Sequence, residues 1–158
     1  MQRTMQMTKS TLLYLSAVKV QCLQGWNRKI KKKEAEKLYE LVGGYIIDLK
    51  SVADKSLAGQ TFEVIKQQAL TEVEKKFKTA QLHKKQLYHE VGKHIISSLL
   101  KSKELNYITY MKIFNKVEES DEMLEKNVFT YHPEKNTVTF QSQLIESYIW
   151  ENSNIFIK

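Results

Sequence analysis

Asn127-Val128-Phe129-Thr130-Tyr131-His132-Pro133-Glu134-Lys135-Asn136-Thr137-Val138-Thr139-Phe140-Gln141 is the stretch on which the fold turns. Two runs of β-branched and aromatic residues flank His132-Pro133-Glu134-Lys135-Asn136, whose composition is that of a turn. Pro133 fixes φ, Asn136 tolerates a left-handed backbone, and Glu134 and Lys135 stay in water. Along the first run, the two-residue period of a strand puts Val128 and Thr130 on one face and Phe129 and Tyr131 on the other. A β-hairpin is predicted here, and it is the only one the sequence announces.

Upstream, the signals are helical. Ala35, Leu38, Tyr39 and Val42 recur at helical spacing and stop at Gly43-Gly44, which predicts a helix closed by a left-handed glycine cap. A second helix is predicted to start within Tyr45–Asp48, to carry Leu49, Val52, Ala53 and Leu57 on one side, and to end at Gly59. Thr61 is the predicted N-cap of a third, whose face of Phe62, Ile65, Ala69, Val73 and Phe77 is the longest clean apolar stripe in the chain. The polar stretch Gln81–Gln86 reads as a domain boundary. Beyond it, Leu87, Val91, Ile95 and Leu99 predict one helix, and Tyr107, Tyr110, Met111, Phe114 and Val117 another. Ser120 is read as the cap of a short helix with Asp121 and Glu122 in its first turn. A last helix follows the hairpin from about Ser142, with Leu144, Ile145, Tyr148 and Ile149, and Asn154–Ile157 is left as a short edge strand or a packed tail. The predicted fold is mainly α: a small helical bundle over 33–80, then a winged helix over 81–158 whose wing is the hairpin.

The net charge of +7 is confined to the first part of the chain. From Met1 to Lys33 the basic residues are Arg3, Lys9, Lys19, Arg28, Lys29, Lys31, Lys32 and Lys33, with no acidic residue among them. Residues 1–32 read either as a basic leader resembling a mitochondrial presequence or as an ordinary N-terminal helix over Ser10–Leu23. The apolar run Leu12-Leu13-Tyr14-Leu15 is too short to span a bilayer. No transmembrane segment is expected, and the expected compartment is intracellular, cytoplasmic or mitochondrial. With Cys22 as the single cysteine, an internal disulfide and a cysteine-built zinc site are both ruled out.

Familiar catalytic patterns are missing. The only Gly-Lys pair, Gly92-Lys93, is followed by His94 and falls inside a predicted helix, so no loop of amides can cradle phosphate there. His83, His89 and His94 are spaced six and five apart, which scatters them around a helix and predicts no metal site. Cys22 has no base near it in sequence.

One motif remains. Gly43-Gly44-Tyr45-Ile46-Ile47-Asp48-Leu49 resembles the glycine turn that opens the helical lid of P-loop ATPases of the STAND and archaeal type. The order of elements is similar too: helix, Gly-Gly, helix, long helix, winged helix. The segment from Tyr131-His132-Pro133 to Glu146-Ser147-Tyr148-Ile149 looks like the C-terminal end of fungal members. The resemblance covers about Lys33 to the end. It implies a lid-like bundle, with Gly43, Gly44 and Tyr45 in the place that approaches a nucleotide. Tyr45 stands where some relatives carry an arginine, and no Walker A, Walker B or first sensor is encoded in these residues. The expectation is therefore a non-catalytic regulatory or protein-interaction portion of such an ATPase, with a protein partner, no cofactor, no metal and no role in binding nucleic acid. A nucleic-acid-binding winged helix is the alternative. Glu118, Glu119, Asp121, Glu122 and Glu125 against Lys116 and Lys126 argue against it, because the helix before the wing has to approach phosphate.

Overall fold

The computed structural model describes residues 30–158, and both readings of residues 1–29 lie outside the described part. Helices α1 (Lys32–Val42), α2 (Ile46–Leu57) and α3 (Phe62–Thr79) stand where the apolar spacing predicts them. α1 buries Ala35, Leu38, Leu41 and Val42, and α2 buries Leu49, Val52 and Ala53. With Ile65 and Ala69 from α3, these side chains fill the core of a first compact unit, residues 30–71 together with 142–144. Ser56 Oγ donates to Glu34 Oε1 at 2.9 Å, tying α2 to α1. α1 ends at Gly43, whose amide donates to the Tyr39 carbonyl at 2.7 Å. Its φ of +68° is positive as expected, but its ψ of −152° is not the left-handed helical value. That extended positive-φ region is almost reserved for glycine. A Cβ at Gly43 would also stand 2.6 Å from Gln143 Cβ, so chain conformation and packing both require glycine here.

Residues 72–141 and 145–158 make the second compact unit. After the end of α3 come α4 (His89–Ser102), β1 (Leu105–Asn106), α5 (Tyr107–Ile113), α6 (Val117–Glu125), β2 (Phe129–His132), β3 (Thr137–Phe140), α7 (Gln143–Glu151) and α8 (Ser153–Phe156). The three strands form one antiparallel sheet in the order β1-β3-β2. Helix, strand, two helices and a two-stranded wing, with the last strand central in the sheet, is the topology of a winged helix. The predicted hairpin is the wing. Phe129 pairs with Phe140, Tyr131 with Val138 and His132 with Thr137, which leaves 133–136 as the loop. Asn136 closes that loop at φ +53°.

Several details depart from the expectations. β1 was not predicted: two residues are too few to show a period. Leu105 opposite Val138 supplies its register. The helix expected over Tyr107–Val117 is two helices, because Phe114 is extended (φ −90°, ψ 151°) and turns the chain. Val117 begins α6 and is 57% exposed, so it is not core. Ser120 is not a cap either. It is buried in the middle of α6, where its Oγ donates to the Val117 carbonyl at 2.6 Å and its own carbonyl accepts from the Tyr110 hydroxyl at 2.9 Å. Leu87 lies in the loop before α4, 76% exposed, and the inner face of α4 is built from Gly92, Ile95, Ile96 and Leu99. The tail is the helix α8. It presses Phe156 against Phe77 at 5.0 Å between ring centres, and Phe77 in turn meets Tyr148 at 5.0 Å.

Candidate interaction surface

α6 is the helix that precedes the hairpin β2–β3. Burial of Ser120 and Met123 fixes its rotation, because side chains three residues apart share one side of a helix. That rotation turns Val117, Glu118, Asp121, Glu122 and Glu125 outward, all exposed, with Glu119 at the margin. Glu118 and Glu119 lie in the first turn, where the helix dipole favours negative charge. None of the five carboxylates forms an ion pair among the described residues. Their charge is felt nearby. The Tyr88 phenol is raised by burial and then by Glu119 and Glu122.

A tyrosine pair joins this helix to the wing. Tyr107, at the start of α5, packs against Tyr131 of β2 with ring centres 4.4 Å apart and the rings tilted by 38°, and donates its hydroxyl to Asp121 Oδ1 at 3.2 Å. Burial, followed by Asp121, raises the Tyr107 phenol. Ile108 is 50% exposed beside it. Through Tyr107, α5, α6 and the wing meet at one surface, acidic on the helix, with exposed Tyr131 on the wing and exposed Val117 one turn from Asp121. The acids are read correctly from the sequence, but helical spacing only runs Tyr107, Tyr110 and Val117 along one helix and does not show which of them are covered. Only Tyr110 is fully buried, and burial pushes its phenol well above the ordinary range. At the wing tip, Lys135 does not cancel Glu134. It pairs with Glu104 at 3.1 Å, and Glu134 Oε1 lies 3.6 Å from His132 Nδ1.

In the other unit, the predicted site residues Gly43, Gly44 and Tyr45 share the turn between α1 and α2. Gly43 is the helix cap described above. Gly44 is exposed, and Tyr45 precedes α2 without a side-chain capping bond. Tyr45, Ile46 and Ile47 are 37%, 54% and 64% exposed, an apolar run at the surface of the unit. Of the histidines, His94 is exposed, while His83 and His89 both face Phe156, at 5.9 and 6.3 Å between ring centres. They are packing groups. His89 Nδ1 donates to the Leu82 carbonyl at 2.9 Å. Among the described residues no group of histidine, cysteine, aspartate and glutamate side chains could hold a metal ion, and no helix is long and apolar enough to cross a membrane. Comparison with family models, with curated proteins and with solved structures finds no match to this chain.

Proposed function

We propose that this chain is a non-catalytic protein-interaction module, built on the plan of the lid and winged helix that follow the nucleotide domain in STAND-type P-loop ATPases. Its partner is a protein segment of basic and apolar character, held on the surface formed by α5, α6 and the wing. The observation that carries this reading is the outward face of α6. A winged helix that reads DNA needs cations there, since neutralising phosphate supplies most of the non-specific affinity. Here the same face presents Glu118, Asp121, Glu122 and Glu125, exposed and without ion pairs among the described residues. Four carboxylates repel a phosphate backbone over a Debye length of about 8 Å at physiological salt. Ile108, Val117 and Tyr131 add the apolar surface that a protein partner can cover.

The test is an anisotropy titration of the whole chain with duplex DNA at physiological salt, beside a calorimetric titration with ATP and Mg²⁺ and an assay of ATP hydrolysis. The expected outcome is DNA binding no tighter than about 1 μM, the tight end of the non-specific range, and no turnover of ATP. Tighter DNA binding that survives salt would replace this reading with the nucleic-acid-binding alternative. Hydrolysis of ATP would show the chain to be catalytic.

A further inference from the structure

We infer that the groove between the loop after α3, the start of α4 and the segment around α8 binds a compact polyphosphate anion. The groove has a volume of about 510 Å³ and is lined by Lys84, Lys85, Lys93, Lys158 and Asn154, with Glu90 as its one acidic side chain. Of the ten lysines from Lys84 onward, four meet at this one concavity. None of the four forms an ion pair among the described residues. The sequence balances acidic and basic residues over this region, and the fold separates them: acids onto α6, lysines into the groove.

Lys85 shares a positive φ with Lys103, which does not line the groove. The φ of Lys85 is +67°, a left-handed conformation that a β-carbon disfavours and that glycine or asparagine adopts far more readily. Lys85 is nonetheless one of the residues that line the groove. An anion carrying several charges in a small volume can be met by several of these lysines at one site. Lysine suits phosphate as a point charge without demanding one geometry. An extended nucleic acid fits less well. Glu119 and Glu122 act on Tyr88, close to the groove, so a long phosphate backbone would leave the lysines and run into acids. A soluble polyphosphate and a phosphorylated lipid headgroup share the chemistry that fits.

Calorimetric titration of the full chain with inorganic tripolyphosphate tests this, with vesicles of phosphatidylcholine carrying a phosphoinositide as the second arm. Binding that weakens with added salt is expected. Lys84→Glu and Lys93→Glu should each weaken it by roughly two- to fivefold or more, the range for an exposed ion pair. Lys112→Glu, on exposed α5 and away from the groove, should leave it unchanged. Lys85→Gly should raise the melting temperature of the free chain and still weaken binding, a pair of effects that a purely structural lysine would not give. Vesicle capture lost with the same substitutions would identify the headgroup as the source. The inference is overturned if tripolyphosphate binds more weakly than about 1 mM at low salt, or if binding is indifferent to Lys84 and Lys93. It is overturned equally if a DNA duplex binds the groove more tightly than tripolyphosphate, or if lysine-dependent self-association of the chain takes its place.

Discussion

Gly43→Ala is the most revealing single change in the first unit, because two separate costs meet at one atom. The backbone there has φ +68° and ψ −152°, which an alanine occupies at a cost of about 1–3 kcal/mol. The new Cβ would also lie 2.6 Å from Gln143 Cβ, with Gln143 Cγ at 3.3 Å. The nearest obstacle is next to the main chain and cannot swing away like the end of a long side chain, so relief requires a backbone shift, worth about 1–3 kcal/mol by analogy with overpacked cores. The sum is about 2–6 kcal/mol, or a fall in melting temperature of roughly 5–25 °C for a chain of this size. Two controls separate the contributions. Gly59→Ala meets the backbone cost alone, since its φ is +88° and no atom lies within 4 Å of the added carbon. Gly44→Ala meets neither, being exposed and outside the positive-φ glycines, and should be neutral or slightly stabilising. Thermal unfolding followed by circular dichroism gives the order Gly43, Gly59, Gly44 from most to least damaging. A Gly43→Ala loss no larger than that of Gly44→Ala would refute the reasoning.

Other perturbations have equally definite outcomes. Phe77→Ala removes a fully buried ring that touches Tyr148 and Phe156, and should cost about 3–5 kcal/mol in denaturant unfolding. Tyr110→Phe leaves the ring in place and deletes only the bond to the Ser120 carbonyl, so about 1 kcal/mol is expected from the same measurement. His83 is held below its ordinary pKa by burial, reinforced by Lys78 and His89 and opposed by Glu74, and its Nε2 lies 3.3 Å from the Tyr148 hydroxyl. The unfolded chain therefore takes up the His83 proton first: stability is intact above pH about 6.5 and declines as pH falls below it, levelling off once the folded form is also protonated. His83→Gln should flatten the melting temperature across that acidic window, and an unchanged slope would count against the assignment.

The legible parts of this fold are those with a long period. α1, α2 and the stripe of α3 are spelled by apolar residues at helical spacing, and the wing by its alternation and its Pro-Glu-Lys-Asn turn. The illegible parts are short or set by distant partners. β1 is a strand only because Leu105 and Asn106 find β3, and two residues carry no period of their own. The break at Phe114 contains neither glycine nor proline, so apolar spacing runs straight through it into Val117. Ser120 has the chemistry of a cap and is instead held in the helix by the Val117 carbonyl. The acids of α6 could be read directly from the sequence. That Val117 and Ile108 lie exposed could not, since helical spacing alone does not say how many faces of a helix are covered. Nor could the lysine groove, which gathers residues from 84 to 158.

The strand order has a consequence for how this protein is made. β3 lies between its two neighbours, and each of them pairs with nothing else in the sheet. During synthesis from the N-terminus, Leu105 and Asn106 emerge well before Val138 and Thr137, the residues that complete their ladder. Through that interval the helices α4, α5 and α6 can form locally, but β1 stays unpaired and β2 gains its partner only as the wing closes. Sheet assembly is then a late, non-local step whose loop-closure cost is met all at once. A ribosome paused before Thr137 would hold a chain with two open strands and most of its helices, a species prone to capture by chaperones or by other nascent chains.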